Sequence, residues 1–102
     1  MRRFDLLRRA QDDLLDLAQY ASGYSDQLAD ALVDDAYDCF ERLAEFPLLG
    51  RERLDLGSGL RSFTLNRRRL TVYYYAQPEQ RDRVLIARVF RQERDVGESD
   101  FD

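Results

Sequence analysis

Arginine and tyrosine are the residue types with the most chemical scope in this chain, and they concentrate between Gly59 and Tyr75. Arg61, Arg67, Arg68 and Arg69 fall in that stretch, and Arg88 and Arg91 follow in the next apolar run. A guanidinium binds phosphate or carboxylate through two parallel donors and stacks on flat rings. Tyr73, Tyr74 and Tyr75 are candidate stacking platforms beside them. Such a set suits a polyanion or an acidic protein surface. All sixteen basic residues are arginine, and the 102-residue chain contains neither lysine nor histidine.

Those absences exclude several mechanisms. Without histidine there is no Ser-His or Cys-His nucleophile pair. One cysteine, Cys39, and no histidine leave no zinc site of the usual spacing and no internal disulfide. No glycine-rich loop matches a phosphate cradle or a dinucleotide fingerprint. The paired carboxylates Asp12/Asp13 and Asp34/Asp35 are neighbours on predicted helices, so they point apart and make a poor acid/base dyad. No metal and no cofactor is expected. Cys39 is read as a small core or boundary residue, since no histidine or lysine is there to lower its pKa.

The formal charge of −4 hides a strong asymmetry. Residues 1–50 hold 5 Arg against 11 Asp and Glu, residues 51–94 hold 11 Arg against 5, and residues 95–102 hold four acids and no base. A basic C-terminal half beside an acidic N-terminal half suggests an acidic or polyanionic partner for one face; codon bias and a solvated surface are the plainer reading. No apolar run approaches the ~20 residues of a membrane span, and the N-terminal Met-Arg-Arg-Phe-Asp lacks a signal peptide's apolar stretch. A soluble, cytoplasmic protein with no membrane partner is expected.

These residues need a scaffold, and the patterning supplies one. Residues 3–7 suit a short strand. A helix is predicted over 9–21, with Ala10, Leu14, Leu17, Ala18 and Ala21 on one stripe and Asp12, Asp13 and Asp16 off it. Gly23 is expected to end it in the left-handed conformation. Ser25 is the predicted N-cap of a second helix reaching Phe46, with an apolar stripe through Leu28, Leu32, Ala36, Cys39 or Phe40, Leu43 and Phe46. Its opposite face carries Asp30, Asp34, Asp38, Glu41 and Glu45, read as a solvated ridge, the alternative being a basic partner segment lying along it. Pro47 stops the helix.

After a connector, three strands are predicted at 60–66, 69–76 and 83–90, with Asn66 in the first turn and Gln77–Asp82 as the second loop. Apolar residues on both faces of the last strand mark it as central. Tyr74 shares a face with Leu70 and Val72 and is assigned to the core. Tyr73 and Tyr75 share the other face, where sheet packing and an exposed platform both fit. The fold class is α+β: an N-terminal strand, a two-helix hairpin, and a three-stranded antiparallel meander completing one sheet. One domain over residues 1–96 is expected, with 97–102 as an acidic flexible tail.

Several local patterns occur in a definite order: Ala10-Gln-Asp-Asp-Leu14, Leu43-Ala-Glu-Phe-Pro-Leu-Leu-Gly-Arg51, Gly59-Leu-Arg-Ser62, Val72-Tyr-Tyr74, and Ala87-Arg-Val-Phe90 through Arg94-Asp95. Together they resemble the RelE/ParE superfamily of bacterial toxins from type II toxin–antitoxin systems, and the ParE branch more than RelE. The resemblance implies a strand, helical hairpin and antiparallel sheet, and a toxin held inactive by a cognate antitoxin in a hetero-oligomer. ParE-like members poison DNA gyrase and block replication, whereas RelE-like members cut messenger RNA on the ribosome.

This sequence departs from the ParE pattern at Tyr75, where arginine is usual, and at Arg91, where histidine is usual. On the ParE reading the chain is not an enzyme. Arg61, Arg67, Arg68, Arg69, Arg88 and Arg91 are then candidates for target binding, and Arg61, Tyr73, Tyr75 and Arg88 for antitoxin binding. On the RelE reading, an mRNA endoribonuclease would use Glu52 as general base, Arg61 and Arg91 on the phosphate, and Tyr73 as the acid. A third alternative is an inactive module that still binds antitoxin.

Overall fold

The computed structural model describes residues 4–76, 83–91 and 95–101. The predicted loop Gln77–Asp82, Arg3 in the first strand, Arg94 and Asp102 lie outside the described residues. Strand β1 (Phe4–Leu6) leads directly into helix α1 (Arg8–Ser22) and then α2 (Asp26–Glu45). Strands β2 (Arg51–Glu52), β3 (Leu60–Leu65), β4 (Leu70–Ala76) and β5 (Val84–Arg91) follow. One sheet results, in the order β1-β5-β4-β3-β2. β1 runs parallel to β5, and the remaining pairings are antiparallel. The α+β architecture and the central position of the last strand are as predicted. β2 is an addition, because a two-residue strand leaves no periodicity to read.

Each helix is set by its own local chemistry. The Ser25 hydroxyl accepts from the Leu28 amide at 2.9 Å, the predicted N-cap. Gly23 closes α1 at φ −61°, ψ −22°, in the right-handed region rather than the left-handed one expected. Its amide reaches the Tyr20 carbonyl, a tightened last turn that needs no left-handed residue. On α2, Ala29, Ala36, Cys39, Phe40, Leu43 and Ala44 are buried, while Leu28 and Phe46 from the predicted stripe are exposed. The ridge residues Asp30, Asp34, Asp38, Glu41 and Glu45 are all exposed.

The helices cover one sheet face. Leu70, Val72, Tyr74, Val84, Ile86 and Val89 from the sheet meet Ala10, Leu14, Leu17, Phe40 and Leu43 from the helices in one core. Phe4, Tyr37 and Phe40 form an aromatic group within it, with ring centroids 5.4–6.1 Å apart. Full burial of a side chain such as Phe40 contributes about 1.5–3 kcal/mol.

Tyr74 ties this core to the connector. Its hydroxyl donates to the Pro47 carbonyl at 2.7 Å and accepts from the Gly50 amide at 2.8 Å. A Cβ on Gly50 would lie 2.6 Å from Tyr74 Oη and 2.8 Å from the Ser62 carbonyl oxygen, so only glycine fits there.

Two backbone features re-aim candidate residues. Between Tyr73 and Tyr74 the β4–β5 register slips, so that Tyr73 faces Arg88 while Tyr74 faces Ile86. Ala87 is the extra residue of this bulge, and the side chains beyond it change faces relative to a regular strand. The β3–β4 turn is a 3₁₀ turn over Asn66–Arg68 closed by Arg69 at φ 56°, ψ 42°. A left-handed non-glycine residue is strained, and here it is the last residue of the cationic run Arg67–Arg69.

Candidate functional site

The candidate residues divide between two sheet faces and two ends of the sheet. Arg61, on β3, lies on the helix-covered side near the connector. It donates to the Gly50 carbonyl at 2.6 Å and lies 3.3 Å from Glu52 Oε1 across the β2–β3 pair. Arg91 lies at the far end of β5, paired with Leu70, with its guanidinium 4.4 Å from the centre of the Tyr20 ring. Arg61 pairs with Tyr74 and Arg91 with Leu70, four residues apart on β4. At ~3.3 Å per residue and ~4.8 Å per strand, that separates the two backbones by roughly 16 Å. Glu52, Arg61 and Arg91 therefore do not converge on one phosphate.

Tyr73 lies on the opposite face and is 5 % exposed. It belongs to a second, smaller core with Leu56, Leu60, Ala87 and Phe90, against which Tyr75, Val96 and Phe101 pack. Its ring stands 5.8 Å from Phe90 and 5.2 Å from Phe101, with the Arg53 guanidinium 5.8 Å away. Of the two readings open for Tyr73 and Tyr75, packing describes Tyr73, and Tyr75 is half-buried at the rim of the same cluster. The acidic tail, expected to be frayed, forms a 3₁₀ turn over Glu98–Phe101 because Phe101 has apolar surface to cover.

Arg88 is engaged inside the molecule. Its Nε and Nη2 donate to the two carboxylate oxygens of Asp13 at 2.8 Å each, with side chains 12 % and 10 % exposed. Asp13 also accepts from the Val89 amide at 2.9 Å. The cause is topological. β1 pairs with β5 only through Ile86, so the edge of β5 beyond that point lacks a strand partner, and α1 brings Asp13 to it. This bond raises the Arg88 pKa above its ordinary value, outweighing the opposing effect of burial. Asp13 was expected off the apolar stripe. Its place in the series Ala10, Asp13, Leu14, Leu17 (spacing i, i+3, i+4, i+7) was the available signal.

The turn arginines also part company. Arg68 Nε donates to Asp35 Oδ2 on α2 at 2.6 Å, both side chains less than a quarter exposed. Arg67 and Arg69 are exposed. Arg67 lines a depression of about 220 Å³ together with Asp35, Asp38, Cys39 and Arg42. Burial pushes the Cys39 thiol up to about 11, which suits an inert core residue. Arg53, absent from the sequence-based candidates, chelates Asp55 at 3.1 and 2.9 Å and holds that carboxyl below its usual value. Among the described residues no group of three His, Cys, Asp or Glu is placed to hold a metal, and no helix is long and apolar enough to cross a membrane.

A helical hairpin on a five-stranded sheet whose first strand runs parallel to its last defines the class: a RelE/ParE-type fold. The likeness to the chromosomal ParDE toxin–antitoxin system of P. aeruginosa has a TM-score of 0.72 at 22% identity, covering 91% of this chain and 98% of that one. The isolated E. coli RelE toxin is a more distant likeness, with a TM-score of 0.55 at 20% identity, covering 93% and 88% of the two chains. No curated protein sequence matches this chain significantly. The family model for the ParE toxin of the type II toxin–antitoxin system parDE matches residues 4–96, and the chain belongs to that family.

Proposed function

We propose that this ParE-family toxin inhibits DNA gyrase by protein–protein contact in the cytoplasm, blocks replication, and is neutralised by a cognate antitoxin. The observation that carries this reading is the dispersal of the alternative catalytic set. Glu52 and Arg61 sit at one end of the sheet, Arg91 at the other, and Tyr73 under Phe101 on the opposite face. Arginine is a poor proton donor at its ordinary pKa, and the tyrosine that would replace it is covered. A surface that binds, rather than a centre that reacts, suits this arrangement better.

Arg61, Arg67, Arg69 and Arg91 are the proposed contacts for acidic protein surface, with Arg88 left to its internal partner. Purified toxin at stoichiometric excess over gyrase stops supercoiling and leaves ribosome-bound mRNA uncut. Undiminished supercoiling at excess toxin would sink the proposal, and codon-positioned cuts in a primer-extension assay would replace it with the endonuclease reading. Normal growth on expression without antitoxin would point to an inactive binding module. Because acidic groups on the partners are expected to meet arginines, the antitoxin association rate falls as salt rises; a salt-independent rate would refute the steering.

A further inference from the structure

Two exposed tyrosines stand where α1 passes the end of β5, and neither core includes them. Tyr20, in the last turn of α1, is 49% exposed, and Tyr24, in the turn between the helices, is 71% exposed. Exposed side chains ordinarily hop between rotamers, but this pair is held. The rings meet edge to face with centroids 5.6 Å apart, and the hydroxyls lie 3.3 Å from each other. Arg91 closes the group, its guanidinium 4.4 Å from the centre of the Tyr20 ring. The backbone beneath is fixed as well. The Tyr24 and Ser25 amides both donate to the Ala21 carbonyl, at 2.9 and 3.1 Å, and Ser25 caps α2 directly afterwards. Arg69, also exposed, adjoins Leu70, the cross-strand partner of Arg91, so a second arginine is attached at the same end.

As a pair at a helix end, the tyrosines add little to stability. As a contact surface they add much, since tyrosine and arginine dominate the energetics of protein interfaces and rings fixed beforehand lose little freedom on binding. The hydroxyls also leave a valence open. One phenol donates to the other, so the accepting phenol keeps a proton that has no acceptor among the described residues. A group that takes this proton beside Arg91 and Arg69 is a carboxylate or a phosphate. The surroundings select the carboxylate. A net charge of −4, with Asp26 directly after the turn, opposes a long polyphosphate backbone, which many cations would have to neutralise. We infer that Tyr20, Tyr24 and Arg91 are the anchor by which this toxin grips its protein target, receiving an acidic side chain flanked by apolar residues. That the target is gyrase rests on the reading above.

The test measures equilibrium binding of the full chain, dye-labelled at its N-terminus, to purified DNA-free gyrase, with supercoiling followed in parallel. Tyr24→Ala weakens binding about thirtyfold and raises the toxin concentration that stops supercoiling by the same factor, the usual cost of truncating an interface anchor. Tyr20→Ala behaves alike. Tyr24→Phe keeps the ring, loses only the hydroxyl, and falls roughly fivefold. Leu54→Ala, at an exposed apolar residue of the connector, binds as the wild-type chain does; an equal loss there would mark general apolar adhesion and overturn the anchor.

Urea unfolding of each variant separates contact from scaffold. The midpoints stay at the wild-type value, and a drop large enough to account for the lost binding would assign the tyrosines to the scaffold and overturn the anchor. Wild-type affinity in both Tyr20→Ala and Tyr24→Ala overturns the anchor and leaves the gyrase reading standing. No binding of the wild-type chain to gyrase overturns that reading, and the anchor's assignment to gyrase with it. Duplex DNA bound without gyrase, and lost in the same variants, overturns the protein partner in favour of nucleic acid.

Discussion

Removing either member of the Arg88–Asp13 pair tests whether the bulged end of β5 is held by a buried ion pair. In Arg88→Met the Asp13 carboxylate loses two charge-assisted bonds of 2.8 Å and keeps the Val89 amide at 2.9 Å. Breaking a buried pair by deleting one partner costs about 3–5 kcal/mol, because the remaining charge stays desolvated. With 12 % and 10 % of the two side chains still exposed, the lower end, about 3 kcal/mol, is the expectation.

The assay is urea unfolding followed by circular dichroism. A slope of about 1–1.5 kcal/mol/M converts that loss into a midpoint lower by roughly 2–3 M. Asp13→Leu alone falls by a similar amount. The double variant Asp13→Leu/Arg88→Met recovers to within about 1–2 kcal/mol of wild type, since the desolvation of both charges disappears and the Val89 amide is the group left without its acceptor. Single losses below about 1 kcal/mol, or additive losses in the double variant, would refute the reasoning.

Two other perturbations read the structure in the same assay. Tyr74→Phe strips an acceptor from the buried Gly50 amide and a donor from the partly buried Pro47 carbonyl, and costs about 2–3 kcal/mol; Gly50→Ala fails at the same place by overlap, and wild-type stability in either variant contradicts the geometry. Stability also falls with alkali through Cys39, whose folded pKa of about 11 lies above its ordinary value of 9.0. The neutral thiol is the form the core accepts, so the contribution is full below pH 9 and is lost as the unfolded chain ionises between about 9 and 11. The loss reaches about 2–3 kcal/mol. Cys39→Ala removes that slope, leaving the later decline from Tyr74, whose pKa burial also raises; an unchanged slope in Cys39→Ala contradicts it.

Much of this protein was legible one element at a time. Ser25 is a cap because its hydroxyl suits the first turn, whatever lies beyond it. The alternation of Leu70, Val72 and Tyr74 selects a core face, since side chains on a strand change sides with every residue. The acidic ridge of α2 follows from helical spacing and stays in solvent. The family resemblance, too, rested on short patterns in order. Charge and composition single out a set of arginines without separating their surroundings.

Only the assembled sheet made that separation. Arg88 and Arg67 are the same residue type in neighbouring basic runs, yet one is bonded to Asp13 and the other is exposed. The difference arises because β1 ends at Leu6, leaving an edge of β5 that α1 must satisfy, a fact about distant segments meeting. A single bulge at Ala87 decides which way the following side chains point. Phe101 looked like the end of a disordered tail, because composition counts the charges of a segment and not the apolar floor awaiting one ring. Local propensity is written residue by residue; burial, pairing and the fate of each charge depend on which surfaces the fold brings together.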